Sequence, residues 1–206
     1  ICHTLIYIYF KIKKIMKAKQ IIVSMILILT TLSCQNKVKK LQENQQKKTE
    51  IKELKPAMGI HEAVIRGNIS VVEQYIKLNQ NLNDKDPKGG AGPLSTAITF
   101  NKQKIALALI DAEVDLNSIS NDGSTPLHTA AFFGRIKVVK SLLDKKVDET
   151  IRNKAGASAY ETAAAPFKYV EPIYKQLSLD LMPFGFKLDY KVLKKNRIAI
   201  AKLLKN

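Results

Sequence analysis

Residues 123 to 134 read Gly-Ser-Thr-Pro-Leu-His-Thr-Ala-Ala-Phe-Phe-Gly, and the chain echoes this pattern 33 residues to either side. A fixed period of this length marks a stack of small units in place of one globular core. Pro126 and Leu127 are preceded by Pro93 and Leu94, Ala130 by Ala97, Val138 by Ile105, and Leu142-Leu143 by Leu109-Ile110. Forward by the same step, Gly123 meets Gly156, Thr125 meets Ser158 and Ala130-Ala131 meet Ala163-Ala164. Upstream the step becomes 34, so that Ile60, Ala63, Val71 and Tyr75-Ile76 precede Leu94, Ala97, Ile105 and Leu109-Ile110. One extra residue in the turn between Asp84 and Gly92 accounts for the difference.

The local chemistry of each unit predicts two helices and a turn. Asn121-Asp122-Gly123 has turn composition, Thr125 is placed to cap a helix, and Pro126 fits that helix's first turn, where no donor is lost. Ala130 and Ala131 are small enough for neighbouring helices to approach, and Gly134 ends the first helix. Ile136, Val138, Val139, Leu142 and Leu143 then form an apolar face at helical spacing. Neither helix buries such a face alone, so adjacent units must cover it. Residues 121 to 150 resemble the ankyrin repeat, whose pattern is a turn, a Thr-Pro-Leu-His-x-Ala-Ala helix and an x-x-Val-Val-x-x-Leu-Leu helix. The expected fold is an all-α ankyrin-repeat solenoid of about four helix-turn-helix repeats over residues 57–206, joined by short turn or β-hairpin fingers.

The resemblance implies a protein partner, held on the concave face that first helices and turns line in this architecture. The free positions between the Ala pair and the Gly are Ile65-Arg66, Thr99-Phe100 and Phe132-Phe133, which stacking places side by side. Aromatic side chains on a partly exposed strip are enriched at binding hot spots, so these residues are candidate protein-binding positions. The competing reading is that one ring of each pair packs against its neighbouring repeat. In the fourth repeat Ala163-Ala164-Ala165 begins as expected, but the second-helix pattern returns only at Asn196, 29 residues beyond its place at position 167. The intervening stretch, about 167–195, carries Phe167, Tyr169, Tyr174, Phe184, Phe186 and Tyr190 and is interrupted by Pro172 and Pro183, with Pro166 just ahead of it. One short helix and an irregular loop are expected there. Phe184 and Phe186 join the candidate binding residues, against the alternative that the insertion merely caps the stack.

Residues 1–15 read as an untranslated or dispensable leader, with Met16 as the start. From there a basic stretch, Lys17 to Lys19, an apolar run from Ile21 to Leu29 broken only by Ser24, and Thr30-Thr31-Leu32-Ser33-Cys34 have the layout of a secretory signal over residues 16–33. The run is about half the ~20 residues a membrane-spanning helix needs. Ser33-Cys34 resembles a bacterial lipoprotein signal, in which cleavage precedes a lipid-modified Cys; Thr31 stands where that family usually has Leu. The alternative is an ordinary signal with an incidental Cys34, which would leave an exported thiol without a disulfide partner. Acyl chains on Cys34 would anchor the protein to a membrane without crossing it. Residues 34–56 would then be a polar tether, reaching roughly 25 Å as a coil.

A net charge of +16 suggests nucleic acid until its distribution is counted. Between Gly59 and Phe184 there are 15 Lys plus Arg against 14 Asp plus Glu, so the repeat body is nearly neutral. The excess lies in residues 1–55, with 12 basic and 3 acidic, and in residues 185–206, with 7 basic and 1 acidic. No basic face with interleaved aromatics is predicted on the repeats, so nucleic acid is not an expected partner. Basic residues beside a lipid anchor suit anionic headgroups.

His61 and His128 occupy equivalent places in their repeats, and the resemblance implies that the imidazole ties successive turns together through backbone hydrogen bonds. No Cys or further His stands near either with ligand spacing, and Gly89-Gly90-Ala91-Gly92 lacks the strand and the Gly-Lys-Ser/Thr ending of a phosphate loop. Asp111, Asp115, Asp144 and Asp148 recur with the period at outer positions. No catalytic residue, metal, cofactor or small-molecule substrate is therefore expected. The function expected is protein–protein interaction by a lipid-anchored protein of the bacterial cell envelope. An inhibitor or immunity protein binding a toxin or enzyme, and a cytosolic interaction module should the apolar run not be exported, are the alternatives.

Overall fold

The computed structural model describes residues 56–205. The signal segment, Cys34 and the tether up to residue 55 lie outside the described residues. Helices α1 (Ile60–Arg66) and α2 (Ile69–Leu78) form the first repeat, α3 (Pro93–Thr99) and α4 (Gln103–Asp111) the second, and α5 (Pro126–Phe132) and α6 (Ile136–Asp144) the third. The fourth pairs α7 (Ala159–Ala164) with α9 (Tyr190–Leu203), and between these run α8 (Phe167–Leu181) and a 3-10 turn, Met182–Phe184. First helices stack side by side in the order α1, α3, α5, α7, and second helices likewise in the order α2, α4, α6, α9.

Small side chains make this stacking possible. Ala63, Ala97, Ala130 and Ala163 recur with the period and are all buried, so first helices meet almost backbone to backbone. Val71, Ile105, Val138 and Ile200 mark the same buried place on the second helices. The turn between the two helices of a repeat needs a left-handed residue, supplied by Gly67 (φ 75°), Asn101 (φ 56°) and Gly134 (φ 67°) in successive repeats. First helices start on side-chain caps in the two later repeats. Thr125 accepts from the His128 amide and Ser158 from the Glu161 amide, while the His128 and Glu161 side chains reach back to the cap.

The fingers are turns, the first of the two forms expected, and among the described residues they contain no β-strand. Among the backbone bonds that close them are Asp86 N–H to Ala91 O (2.9 Å), Ser120 N–H to Ser124 O (3.1 Å) and Asn153 N–H to Ala157 O (3.0 Å). The first spans one residue more than the others, which locates the extra residue behind the 34-residue step. Successive fingers are also bonded to each other, Asn121 N–H to Gly89 O (2.8 Å) and Lys154 N–H to Asp122 O (2.9 Å). Gly123 sits in this seam at φ 78°, and a methyl group there would lie 2.9 Å from the Lys154 amide nitrogen.

The insertion differs most from expectation. In place of a short helix it forms the 15-residue α8, with Pro172 inside it, and the expected irregular stretch follows over 182–189. Phe167, Val170, Tyr174, Leu177 and Leu181 recur at alternating spacings of three and four and all pack into one cluster. Pro172 lies on the opposite, exposed side, where the carbonyl that loses its partner can turn to water. The last residues of the insertion belong to α9, which starts at Tyr190 because the Asp189 side chain accepts from the Lys191 and Val192 amides. No helix among the described residues is long and apolar enough to cross a membrane.

Candidate protein-binding surface

The first-helix face carries short hydroxyl side chains in register. Thr96, Thr129 and Thr162 donate to the carbonyls of Gly92 (3.1 Å), Thr125 (3.1 Å) and Ser158 (2.8 Å), each one turn back on its own helix. Thr96 is buried and also lies 3.1 Å from His61 Nδ1, whereas Thr129 and Thr162 are partly exposed and, satisfied locally, make no demand on a ligand's hydrogen bonds.

Beside this face, the histidines fix the fingers. His128 Nε2 donates to Ala157 O in the next finger (3.0 Å), while Nδ1 accepts from the Thr125 amide (3.3 Å) and lies 2.9 Å from its hydroxyl. Burial holds this imidazole below its ordinary pKa of 6.5, against the opposing pull of the Ala157 carbonyl and the Asp122 carboxylate. His61 reaches Asp84 O (2.9 Å) and Thr96 Oγ1 (3.1 Å), since the place of its cap is occupied by Met58, which has no hydroxyl. The finger carboxylates are equally committed. Burial pushes Asp86 up, but the Gly89, Ala91 and Lys88 amides together outweigh it and bring its pKa below the ordinary value. What the fingers present outward are Lys88, Asn121 and Lys154, one from each, with Ile119 half exposed between them.

The expected aromatic strip is not an open surface. Phe133 and Phe186 are 6% and 4% exposed, and Phe100 and Phe132 are partly buried against the same cluster. Phe186 stands edge-on to Phe100 (6.0 Å between centroids) and to Phe133 (5.8 Å), and Tyr174 lies 4.4 Å from Phe132. The insertion itself covers the strip, with Tyr174 of α8 against Phe132 and Phe133 and Phe186, beyond α8, against Phe100 and Phe133. Phe133 and Phe186, with the partly buried Phe100 and Phe132, are thus internal contacts and not an open recognition strip, and it is the insertion, Phe186 included, and not a neighbouring repeat that covers Phe100, Phe132 and Phe133. Ile65 is partly buried, Arg66 pairs with Glu62 on its own helix (2.8 Å), and Thr99 donates to Ser95 O (3.0 Å). Phe184 and Arg66 are widely exposed, Phe184 at 55%.

Arg197 and Tyr174, which the sequence reading did not single out, hold the insertion in place. The Arg197 guanidinium is buried and donates to Tyr174 Oη (2.6 Å), Thr162 O (2.9 Å) and Ala165 O (2.9 Å), with no carboxylate among these partners. The last two are free carbonyls around the C-terminal end of α7, where a cation is favoured. Tyr174 Oη donates to Phe132 O, and burial pushes its pKa up to about 12 although Arg197 and Arg135 pull it down. Arg135, at the place equivalent to Arg197, does the same work one repeat earlier, donating to Ile98 O (3.1 Å) and Thr99 O (3.3 Å) at the end of α3. That equivalence was the available signal.

Among the described residues no cluster of His, Cys, Asp or Glu is placed to hold a metal ion. No curated protein is similar enough to the chain to match it. Residues 60–153 match the family model for ankyrin repeats in 3 copies. With the stacked helix pairs and finger ties that surround that match, this part of the chain consists of ankyrin repeats in an all-α solenoid, a module for protein–protein interaction.

Proposed function

We propose that this is a lipid-anchored ankyrin-repeat protein of the bacterial cell envelope, holding another protein against its first-helix face and fingers. The observation that carries the choice of surface is the pair of bonds joining the three fingers, Asn121 to Gly89 and Lys154 to Asp122. With the bond from Asn121 Nδ2–H to Lys88 O (3.0 Å) they make one pre-ordered platform that exposes Lys88 and Lys154, and pre-ordering lowers the entropy cost of binding. The insertion conceals the aromatic strip, so the competing edge of the repeats offers little to a ligand. The anchor rests on the basic, apolar and Ser33-Cys34 succession and on the basic excess next to it.

Metabolic labelling with an alkyne fatty acid tests the anchor. Label is expected on the parent chain and absent from Cys34→Ser, which should leave the membrane fraction. Equal label on both would refute the assignment of Cys34. Crosslinking of the anchored protein, with identification of what is captured, supplies the partner.

A further inference from the structure

We propose a second binding site, separate from the first-helix face: the groove between α7 and α9 at the end of the stack receives an acidic amphipathic segment of a partner protein. Inner units are covered on both sides, α5 by α3 and α7, α6 by α4 and α9. Beyond α7 and α9 no further repeat is among the described residues, and a depression of about 500 Å3 remains there, bordered by Phe167 at the start of α8.

Its floor is apolar, formed by Ala164, Ala201 and Ile198, the last 62% exposed. Lys194, Lys202 and Lys205 stand around it, and no carboxylate lines it. Lys194, Ile198 and Ala201 follow one another at spacings of four and three along α9 and so share a stripe, and Lys205 lies just past its end. Nearby acidic groups are engaged elsewhere: Glu161 with Arg152 (2.7 Å), Glu171 with Lys175 (3.2 Å), and Asp189 with the first amides of α9. Arg197 also lines the groove, but its guanidinium is committed to Tyr174 and the carbonyls around the end of α7. The three lysines are therefore the charges a ligand meets. Lys194 is partly ordered already, with Nζ 4.4 Å above the Phe167 ring.

Cations around a methyl-lined depression call for carboxylates flanking an aliphatic side chain, which is the chemistry of an acidic amphipathic helix. A bilayer is too flat to seat in the depression, and a phosphodiester backbone has no aliphatic group to place on Ile198.

Titration of the full chain with a fluorescent helical peptide carrying Leu on one face and Glu on the others tests this. Saturable binding is expected, weakened at least about tenfold by the joint change Lys194→Glu, Lys202→Glu and Lys205→Glu, because exposed pairs are individually weak and must be reversed together. Ile198→Asp should weaken it comparably, and a counterpart peptide with Lys for Glu should not bind. Undiminished binding by the triple variant, equal binding of the Lys peptide, or binding only to phosphatidylglycerol vesicles or a single-stranded oligonucleotide would overturn the proposal. All four substituted positions are exposed; should charge reversal still disturb folding, the Lys→Gln triple makes the same comparison.

Discussion

At the scale of single residues, two side chains carry more than their neighbours: Arg197 and His128. Arg197 satisfies two free carbonyls and the Tyr174 hydroxyl at once while itself only 2% exposed. Arg197→Ala should therefore cost about 3 kcal/mol or more, as removal of a buried charged donor with several partners does. Urea unfolding measures this, and a loss below about 1 kcal/mol would mean that the guanidinium's burial costs as much as its bonds contribute. His128 makes stability depend on pH. Its folded-state pKa lies below 6.5, so beneath that value the unfolded chain binds more protons than the folded one. Its contribution is whole above pH 6.5 and is lost as pH falls through the folded-state pKa. Unfolding midpoints between pH 7 and pH 5 should fall more steeply for the parent than for His128→Gln; parallel slopes would contradict the role given to this imidazole.

At the scale of elements, the contrast lies between the regular helices and α8. The paired helices were legible because their signals are local and repeated: a capping Thr or Ser, a Pro in the first turn, an Ala pair and a left-handed Gly. The insertion obeys the same helical period, but Pro166, Pro172 and Pro183 read as breaks, and only the exposed side on which Pro172 falls makes it tolerable in a helix. The aromatic strip was legible as a surface in need of cover, whereas the cover is supplied by Tyr174 and Phe186, some 40 and 50 positions after Phe132 and Phe133, through contacts no periodicity encodes. Phe186→Ala should cost about 3 kcal/mol, the usual loss for a buried ring, and raise binding of an apolar dye as Phe100 and Phe133 are uncovered. Unchanged stability and dye binding would show that the insertion does not rest on the strip.

At the scale of the molecule, charge and architecture divide the chain into a nearly neutral repeat body and basic segments at its two ends. The neutral, hydroxyl-lined first-helix face and the bonded fingers suit a folded protein surface, while the lysine-rimmed end groove suits an acidic segment, so the two sites would tolerate different partners. The central claim is that recognition belongs to the fingers and the first-helix face, and that the aromatic strip is an internal joint. Photo-crosslinking residues placed one at a time at Asn121, Thr129 and Phe133 of the whole chain test it most directly. The account predicts adducts to one and the same partner protein from Asn121 and Thr129, and from Phe133 only a crosslink within the chain, to α8 or to the Phe186 segment. Partner adducts from Phe133, with none from Asn121 or Thr129, would contradict it.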